Sequence, residues 1–314
     1  MSAGEPPAVE LLNVDKSFGP KRAVIDLNLT VPRGAIYGII GPNGSGKSTT
    51  LRMIARIYHP DHGIISVLGQ DATSGEAAND RIGYLPEERG LYRKMRVGEL
   101  LAFFAALKGV HKSGPQIRSW LGRLGLGDCE NKRVEVLSKG MAQRVQFIAA
   151  VLHRPELLIL DEPFSGLDPV NMEVLKDAVV DLRREGATIL FSTHDMDVAE
   201  KMCDFIFMIH QGRSVLDGSL ASIRERYGSD IVRLRLGEGG VLLERLPGVA
   251  RVNDFGRLKE LRLEAGADPQ RLLHALAAQT RIEHFELAQP RLHDIFVRIA
   301  GGTTGAPKEA RSDA

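Results

Sequence analysis

The stretch with the clearest capacity for chemistry is rich in glycine and joins an apolar run to a segment with helical spacing. The apolar run, 35–40, is too short for a helix and is typical of a buried strand. Glycines let the backbone turn its amide hydrogens toward a phosphate chain, and the next helix adds its positive end. Lys47 would reach the β- and γ-phosphates, and the Ser48 hydroxyl would ligate magnesium. The pattern therefore predicts a nucleoside triphosphate site. The alternative, a glycine-rich turn without a ligand, is disfavoured by the strand before it and the helix after it. The stretch consists of Gly41, Pro42, Asn43, Gly44, Ser45, Gly46, Lys47, Ser48 and Thr49.

Two adjacent carboxylates follow a second apolar strand, 157–160, about 110 residues after the glycine-rich loop. Asp161 can hold magnesium through its water shell. Glu162 can orient or deprotonate an attacking water, since phosphoryl transfer depends on positioning and on neutralisation of charge. Buried strands also end in two acids by chance, but the position after a phosphate loop favours the catalytic interpretation.

A third stretch, 137–141, reads Leu-Ser-Lys-Gly-Met at the start of a helix. A helix N-terminus, a serine hydroxyl and a bare glycine amide together can form a second anion site. With this stretch the chain resembles the ATP-binding subunits of ABC transporters, whose signature is Leu-Ser-Gly-Gly-Gln. The resemblance implies that Ser138 and Gly140 close over the γ-phosphate held by a partner subunit. Two ATP molecules would then be sandwiched head to tail between two subunits.

The resemblance covers residues 9 to about 220 and assigns further residues. Asp168 ends the stretch 165–168, which is similar to the loop through which the two subunits sense each other. His194 is similar to the switch histidine that contacts the γ-phosphate. Phe18 is similar to the aromatic residue on which adenine stacks, with Val24 close by, because phenylalanine keeps the π-face of the usual tyrosine.

This chain departs from the family pattern at three positions. Glu87 follows Pro86 where the family has glutamine, a residue that contacts the metal and water and communicates with the membrane partner. A carboxylate keeps an oxygen for the metal but adds charge next to the γ-phosphate. Alternatively, Glu87 faces the permease and pairs with a basic residue there. Lys139 and Met141 alter the signature, whereas Ser138 and Gly140 are kept.

Composition narrows the class of protein. The chain has 314 residues, enough for about two domains, and 43% hydrophobic residues support a proper core. A formal net charge of +1 gives no indication of a nucleic-acid partner. Two cysteines, Cys129 and Cys203, fit a reducing cytosol. The N-terminus has no secretory signal pattern. The sequence contains no run of 18 apolar residues, so no membrane span is predicted.

The pattern of elements predicts an α/β fold in residues 1–228, with a parallel sheet covered on both faces. With the motifs above, this is expected to be a P-loop NTPase core of ABC type. Between about 90 and 154 the apolar spacing is helical throughout, which predicts an inserted helical subdomain. Strands are expected at 9–14 and 23–31, with a turn at 16–21 between them.

The residues after Gly228-Ser229 predict a second domain. The order β-α-β-β-α-β over 229–300 indicates a small ferredoxin-like α+β unit, with a helix appended at 290–299. Its first helix is expected at 241–246, and residues 301–314 are expected to be a disordered tail. The unit either stabilises a dimer or holds a regulatory ligand.

Three stretches, 86–92, 137–141 and 289–296, are similar to bacterial exporter ATPases that include sodium-extrusion and drug-resistance systems. The resemblance implies an ATPase, with ATP and Mg²⁺ as cofactors, that energises a separate permease at the cytoplasmic face of the membrane. Its ATPase partner would be a second copy of itself or a paralogue. The alternative is a soluble ABC-type ATPase of translation or DNA maintenance. Such proteins typically carry two ATPase halves or a long inserted coiled coil, and here each motif occurs once.

Overall fold

A computed structural model describes residues 5–72, 79–88, 90–227, 231–237, 242–264 and 266–300. Within it the chain divides into two compact units, 1–219 and 220–314. The predicted boundary at Gly228-Ser229 and the predicted tail at 301–314 lie outside the described residues. No helix of the described ranges is long and apolar enough to cross a membrane.

The first unit contains two sheets. Its strands are β1 (Val9–Phe18), β2 (Lys21–Val31), β3 (Ile36–Ile40), β4 (His62–Val67), β5 (Gln70–Asp71), β6 (Ile82–Leu85), β7 (Leu157–Asp161), β8 (Thr188–Thr193), β9 (Phe205–His210) and β10 (Arg213–Ser219). Six of them form a sheet in the order β10-β9-β3-β8-β7-β6, in which only the β9–β10 hairpin is antiparallel. Strands β3, β7 and β8 are buried along their whole length, which explains the apolar runs in their sequences. The predicted parallel sheet is confirmed.

The other sheet is antiparallel, in the order β2-β1-β4-β5, and the sequence did not separate it from the first. The turn predicted at 16–21 is present but shorter, at residues 19–20, because β1 continues to Phe18, which pairs with Lys21 at the start of β2. Register shifts between β1 and β2 and the left-handed Asn13 and Asp26 break the alternation that marks a regular strand. The strand therefore looked shorter in the sequence than it is.

The helices of the first unit are α1 (Lys47–Ile54), α2 (Val97–Leu107), α3 (Gly114–Arg123), α4 (Lys139–Val151), α5 (Pro169–Arg184) and α6 (Met196–Met202). Three of them, α2 to α4, fill the predicted helical region and bury apolar side chains at helical spacing, such as Leu101, Leu121 and Val145. Two of the functional stretches thus begin helices: α1 follows the phosphate loop, and α4 follows Ser138.

The second unit consists of α7 (Leu220–Tyr227), β11 (Ile231–Leu236), β12 (Val249–Phe255), β13 (Leu258–Leu263), α8 (Pro269–Ala277), β14 (Ile282–Ala288) and α9 (Leu292–Ala300). Its antiparallel sheet has the order β12-β13-β11-β14, which places the first and third strands in the centre. This agrees with the ferredoxin-like prediction. The helix expected at 241–246 is only a 3₁₀ turn, Leu243–Arg245, because Pro247 follows directly and leaves no room for an α-helical turn.

Candidate active site

The glycine-rich loop connects β3 to α1 in a shape that its glycines make possible. Gly41 and Gly46 have φ angles of 152° and 115°, which side chains rarely allow. A Cβ on Gly46 would lie 2.5 Å from the Ala23 carbonyl oxygen, and one on Gly41 would collide with the Ile209 carbonyl oxygen. The neighbouring backbone of Ala23 and Ile209 therefore leaves no room for a side chain at Gly46 and Gly41. The buried Ser45 hydroxyl has no hydrogen-bond partner among the described residues.

Lys47, the first residue of α1, is only 5% exposed. Its Nζ donates hydrogen bonds to the carbonyl oxygens of Gly41 (2.9 Å) and Pro42 (3.2 Å), and lies 3.6 Å from the Glu162 Oε1. A buried ammonium needs such partners, because desolvation disfavours an isolated charge. The loop thus holds a positive charge ready for an anion.

A cavity of about 220 Å³ opens beside this lysine. It brings the glycine-rich loop together with Glu87 and Glu162, which come from two other segments. Lys21 and Ala23 of β2 also line it. They were not predicted, since a lysine beside a turn has no distinctive pattern. The residues of the loop that line the cavity are Asn43, Gly44, Gly46, Lys47, Ser48 and Thr49.

Asp161 ends β7 and is fully buried. Its Oδ1 accepts hydrogen bonds from the hydroxyls of Ser48 (3.0 Å) and Ser192 (2.6 Å), while its Oδ2 has no partner in the described part of the chain. An unsatisfied buried carboxylate oxygen next to a serine hydroxyl suits a hard cation such as Mg²⁺. Ser192 was not predicted, and its position one strand away in the sheet explains why.

A magnesium ion at this position would depend on few protein ligands. Across the described ranges, no group of three or more histidine, cysteine, aspartate or glutamate side chains converges on a metal position. Mg²⁺ commonly keeps several waters and takes phosphate oxygens in addition to one or two carboxylates. The pair formed by Ser48 and Asp161 fits that mode of binding.

Glu162 is brought together with His194 and Lys47. The His194 Nδ1 lies 3.0 and 3.1 Å from the two carboxylate oxygens of Glu162, whose side chain is nearly buried. Glu162 has a left-handed backbone (φ 48°), and its amide donates to the Ser192 hydroxyl at 3.0 Å. Such a conformation costs about 1–3 kcal/mol for a residue with a side chain and is common where geometry serves function.

The signature stretch lies apart from this cavity in its own chain. Ser138 caps α4, and its exposed hydroxyl accepts a hydrogen bond from the Met141 amide at 3.3 Å. Neither Ser138 nor Gly140 is among the described residues that line the cavity. Asp168 caps α5, where the Asn171 amide and side chain donate to it and lower its pKa.

The two residues expected near adenine differ in exposure. Phe18 is 44% exposed and packs edge-on against Tyr58, with ring centroids 5.4 Å apart. Part of its surface is therefore open to a ligand. Val24 is completely buried, and its side chain packs close to Gly46, so it can support the loop only from beneath. Adenine stacking on Phe18 stays a prediction.

Two glutamines of α4 hold the loops that carry the carboxylates. Gln143 donates to the Pro163 carbonyl oxygen at 3.3 Å, next to Glu162. Gln146 donates to the Glu88 carbonyl oxygen at 3.2 Å, next to Glu87. Neither glutamine was predicted as a functional residue, although polar residues on the buried side of a helix are a recognisable signal. The helix that begins at the signature thus anchors both loops.

A strand–loop–helix phosphate cradle, a serine–aspartate pair and a glutamate–histidine contact define a P-loop nucleotide-binding protein. Comparison with known proteins specifies it further. The family described as "ABC transporter" matches residues 24–165, and the family "ATP-binding protein DrrA1-3-like, C-terminal domain" matches residues 218–300. The chain is 41% identical over 291 residues to the ABC transporter ATP-binding protein YhaQ of Bacillus subtilis (strain 168), covering 92% of this chain and 97% of the relative.

The chain therefore belongs to the ATP-binding proteins of ABC transporters. It is also 33% identical to the daunorubicin/doxorubicin resistance ATP-binding protein DrrA of Streptomyces peucetius, covering 97% of this chain and 94% of that protein. A solved structure described as the ATP-binding subunit of an ABC transporter is similar, with a TM-score of 0.66 and 32% identity. The match covers 70% of this chain and 93% of that one.

Proposed function

We propose that this chain hydrolyses ATP as the cytosolic subunit of an ABC exporter and energises a separate permease through ATP-dependent, head-to-tail dimerisation. The observation that carries the proposal is the contact of Glu162 with both His194 and Lys47 at the wall of the phosphate cavity. In this proposal the Glu162 carboxylate lies beside the position of the transferred phosphate, where a water would attack.

In this proposal each residue has one task. The loop amides and Lys47 bind the β- and γ-phosphates, and Ser48 and Asp161 hold magnesium. Bound Mg²⁺ supplies positive charge that offsets the charge of the phosphates. Glu162 orients the attacking water and accepts its proton. His194 holds Glu162 and contacts the γ-phosphate.

A role of Glu87 as a third metal ligand is open to a direct test. Its place in the cavity beside Glu162 favours the metal over the permease as its partner. We expect Glu87→Gln to shift the magnesium dependence of hydrolysis, because a carboxylate binds the cation more strongly than an amide. Binding of ATP without metal should stay the same. An unaltered magnesium titration of the hydrolysing, isolated subunit would contradict the metal role.

The names of the relatives support an exporter. Among them are a linearmycin resistance ATP-binding protein of Bacillus subtilis (strain 168) and a Nod factor export ATP-binding protein of Sinorhizobium fredii.

A second cavity, of about 400 Å³, has largely apolar walls that include Pro86, beside the position that communicates with the permease in this family. Buried polar atoms of Gln146 and His153, both in its wall, lack partners among the described residues. We assign this cavity to a segment of the permease.

The partner can be tested by purification from membranes. We expect the tagged full chain to co-purify with a protein that has about six apolar spans. Each span should have about 20 residues, the length that a helix needs to cross a bilayer. ATPase activity should rise when that protein is present. Recovery with ribosomes or DNA, and without a membrane protein, would favour the soluble ABC-type ATPase instead.

The second unit has a more limited role in the proposal. Its core of leucine and valine side chains, such as Leu234, Leu261 and Leu272, is closed by its own elements. We assign it to stabilisation of the dimer. A small molecule that changes the unfolding temperature of the full chain would instead indicate a regulatory ligand site.

A further inference from the structure

Two charged side chains of opposite sign stand where the family pattern has uncharged ones. Glu87 replaces glutamine and lines the nucleotide cavity. Lys139 replaces glycine within the signature and is the first residue of α4. One replacement adds a negative charge close to the phosphates, and the other adds a positive charge next to Ser138. Because their signs are opposite, the two side chains would attract each other if they came close together.

Neither charge has an ion-pair partner among the described residues of its own chain. Glu87 is exposed and forms no ion pair with any residue that the structure describes. Its cavity also contains Glu162, Lys21 and Lys47, of which Lys47 lies 3.6 Å from the Glu162 Oε1. Lys139 is also exposed and has no carboxylate partner in the described ranges. A cation in the first turn of a helix is disfavoured, because the helix dipole is positive there. No carboxylate of the described ranges offsets this unfavourable interaction of Lys139.

The position of Lys139 is defined by its packing. The end of its side chain lies over Gly166, with its Nζ 3.1 Å from where a Cβ on Gly166 would be. Gly166 belongs to the stretch 165–168, which the family uses for contact between subunits. The Lys139 ammonium thus lies between the signature and the stretch 165–168. Lys139 is not among the described residues that line the nucleotide cavity of its own chain.

We propose that Lys139 of one subunit is a positioning residue that offsets Glu87 of the other subunit when two copies close head to tail around ATP. This inference rests on the proposed function, since only that dimer places Ser138 of one chain on the nucleotide of the other. Lys139 adjoins Ser138 and so approaches the same γ-phosphate, beside which the second chain places Glu87.

Helix α4 makes the arrangement reciprocal. It begins with Lys139, and its Gln146 donates to the Glu88 carbonyl oxygen in the loop that carries Glu87. Each subunit therefore carries Lys139 on α4 and Glu87 on a loop that α4 contacts, and in the closed dimer it would deliver one charge to each of the two sites.

The test is a double-mutant cycle in full-length chains that also carry Glu162→Gln, so that the closed dimer persists. The variants are Lys139→Gln, Glu87→Gln and their combination, with Lys132→Gln as a matched control, since Lys132 is also an exposed lysine. The measurement is the dissociation constant of the dimer with MgATP by analytical ultracentrifugation. Lys139→Gln should weaken the dimer about tenfold where Glu87 is present and less than about twofold where it is glutamine.

Two further readouts separate this charge effect from a loss of structure. The weakening should shrink as salt is raised, because salt screens partly exposed charges. Affinity of the monomer for ATP should not change in Lys139→Gln, since the lysine acts on the nucleotide of the other chain. Equal weakening in both backgrounds, or no weakening at all, would overturn the pairing. If the Glu162→Gln parent itself fails to dimerise with ATP, the head-to-tail dimer of the proposed function fails instead.

Discussion

Glu162→Gln is expected to lower ATP hydrolysis by about 10²- to 10⁴-fold while ATP binding persists, because the amide can no longer accept the proton of the attacking water. The glutamine oxygen can still accept a hydrogen bond from His194, so the geometry of the site should survive. Lys47 keeps the Gly41 and Pro42 carbonyl oxygens as partners. Without hydrolysis, the ATP-bound dimer should accumulate and be visible by size-exclusion chromatography with light scattering.

The matched control for this prediction is Glu185→Gln, because Glu185 is an exposed carboxylate at the end of α5. It should hydrolyse ATP at the rate of the unaltered chain. Normal turnover by Glu162→Gln would remove Glu162 from the role of positioning the water. Loss of ATP binding by that variant would show instead that the carboxylate maintains the loop.

Local patterns made the central sheet and the phosphate loop predictable. Strands β3 and β7 contain continuous apolar runs; the phosphate loop follows β3, and β7 ends in Asp161. In the second unit, the strand order followed from the sequence of elements alone. These features depend on residues that are neighbours in the chain, where periodicity and capping have a direct physical meaning.

The features that were missed depend on contacts between distant segments. Ser192 bonds to Asp161 only because β7 and β8 are neighbours in the sheet. Lys21 lines the nucleotide cavity because β2 lies beside the phosphate loop. The carbonyl group of Ala23, also in β2, packs against Gly46 of that loop. The full length of β1 was hidden for another reason, since bulges remove the alternation on which strand prediction relies. A single sequence carries no direct signal for any of these.

A mixture of two inactive variants should recover activity if the two subunits share their sites head to tail. Ser138→Arg places a bulky side chain at the N-terminus of α4, where it should block closure over the partner's γ-phosphate and abolish hydrolysis. ATP binding to the monomer should stay nearly intact, since Ser138 does not line the cavity of its own chain. Lys47→Ala should abolish hydrolysis differently, by loss of nucleotide binding, because it removes the buried ammonium at the phosphate loop.

In a dimer with one subunit of each kind, one site combines an intact phosphate loop with an intact Ser138, and the other has neither. Random pairing of equal amounts makes half of the dimers mixed, so the expected recovery is about a quarter of the activity of the unaltered chain. Steady-state phosphate release measures it, with Ser119→Arg, an exposed serine on α3, as the steric control. No recovery from the mixture, when light scattering shows that mixed dimers form, would contradict sharing of the sites, because each complete site would then have to come from one chain.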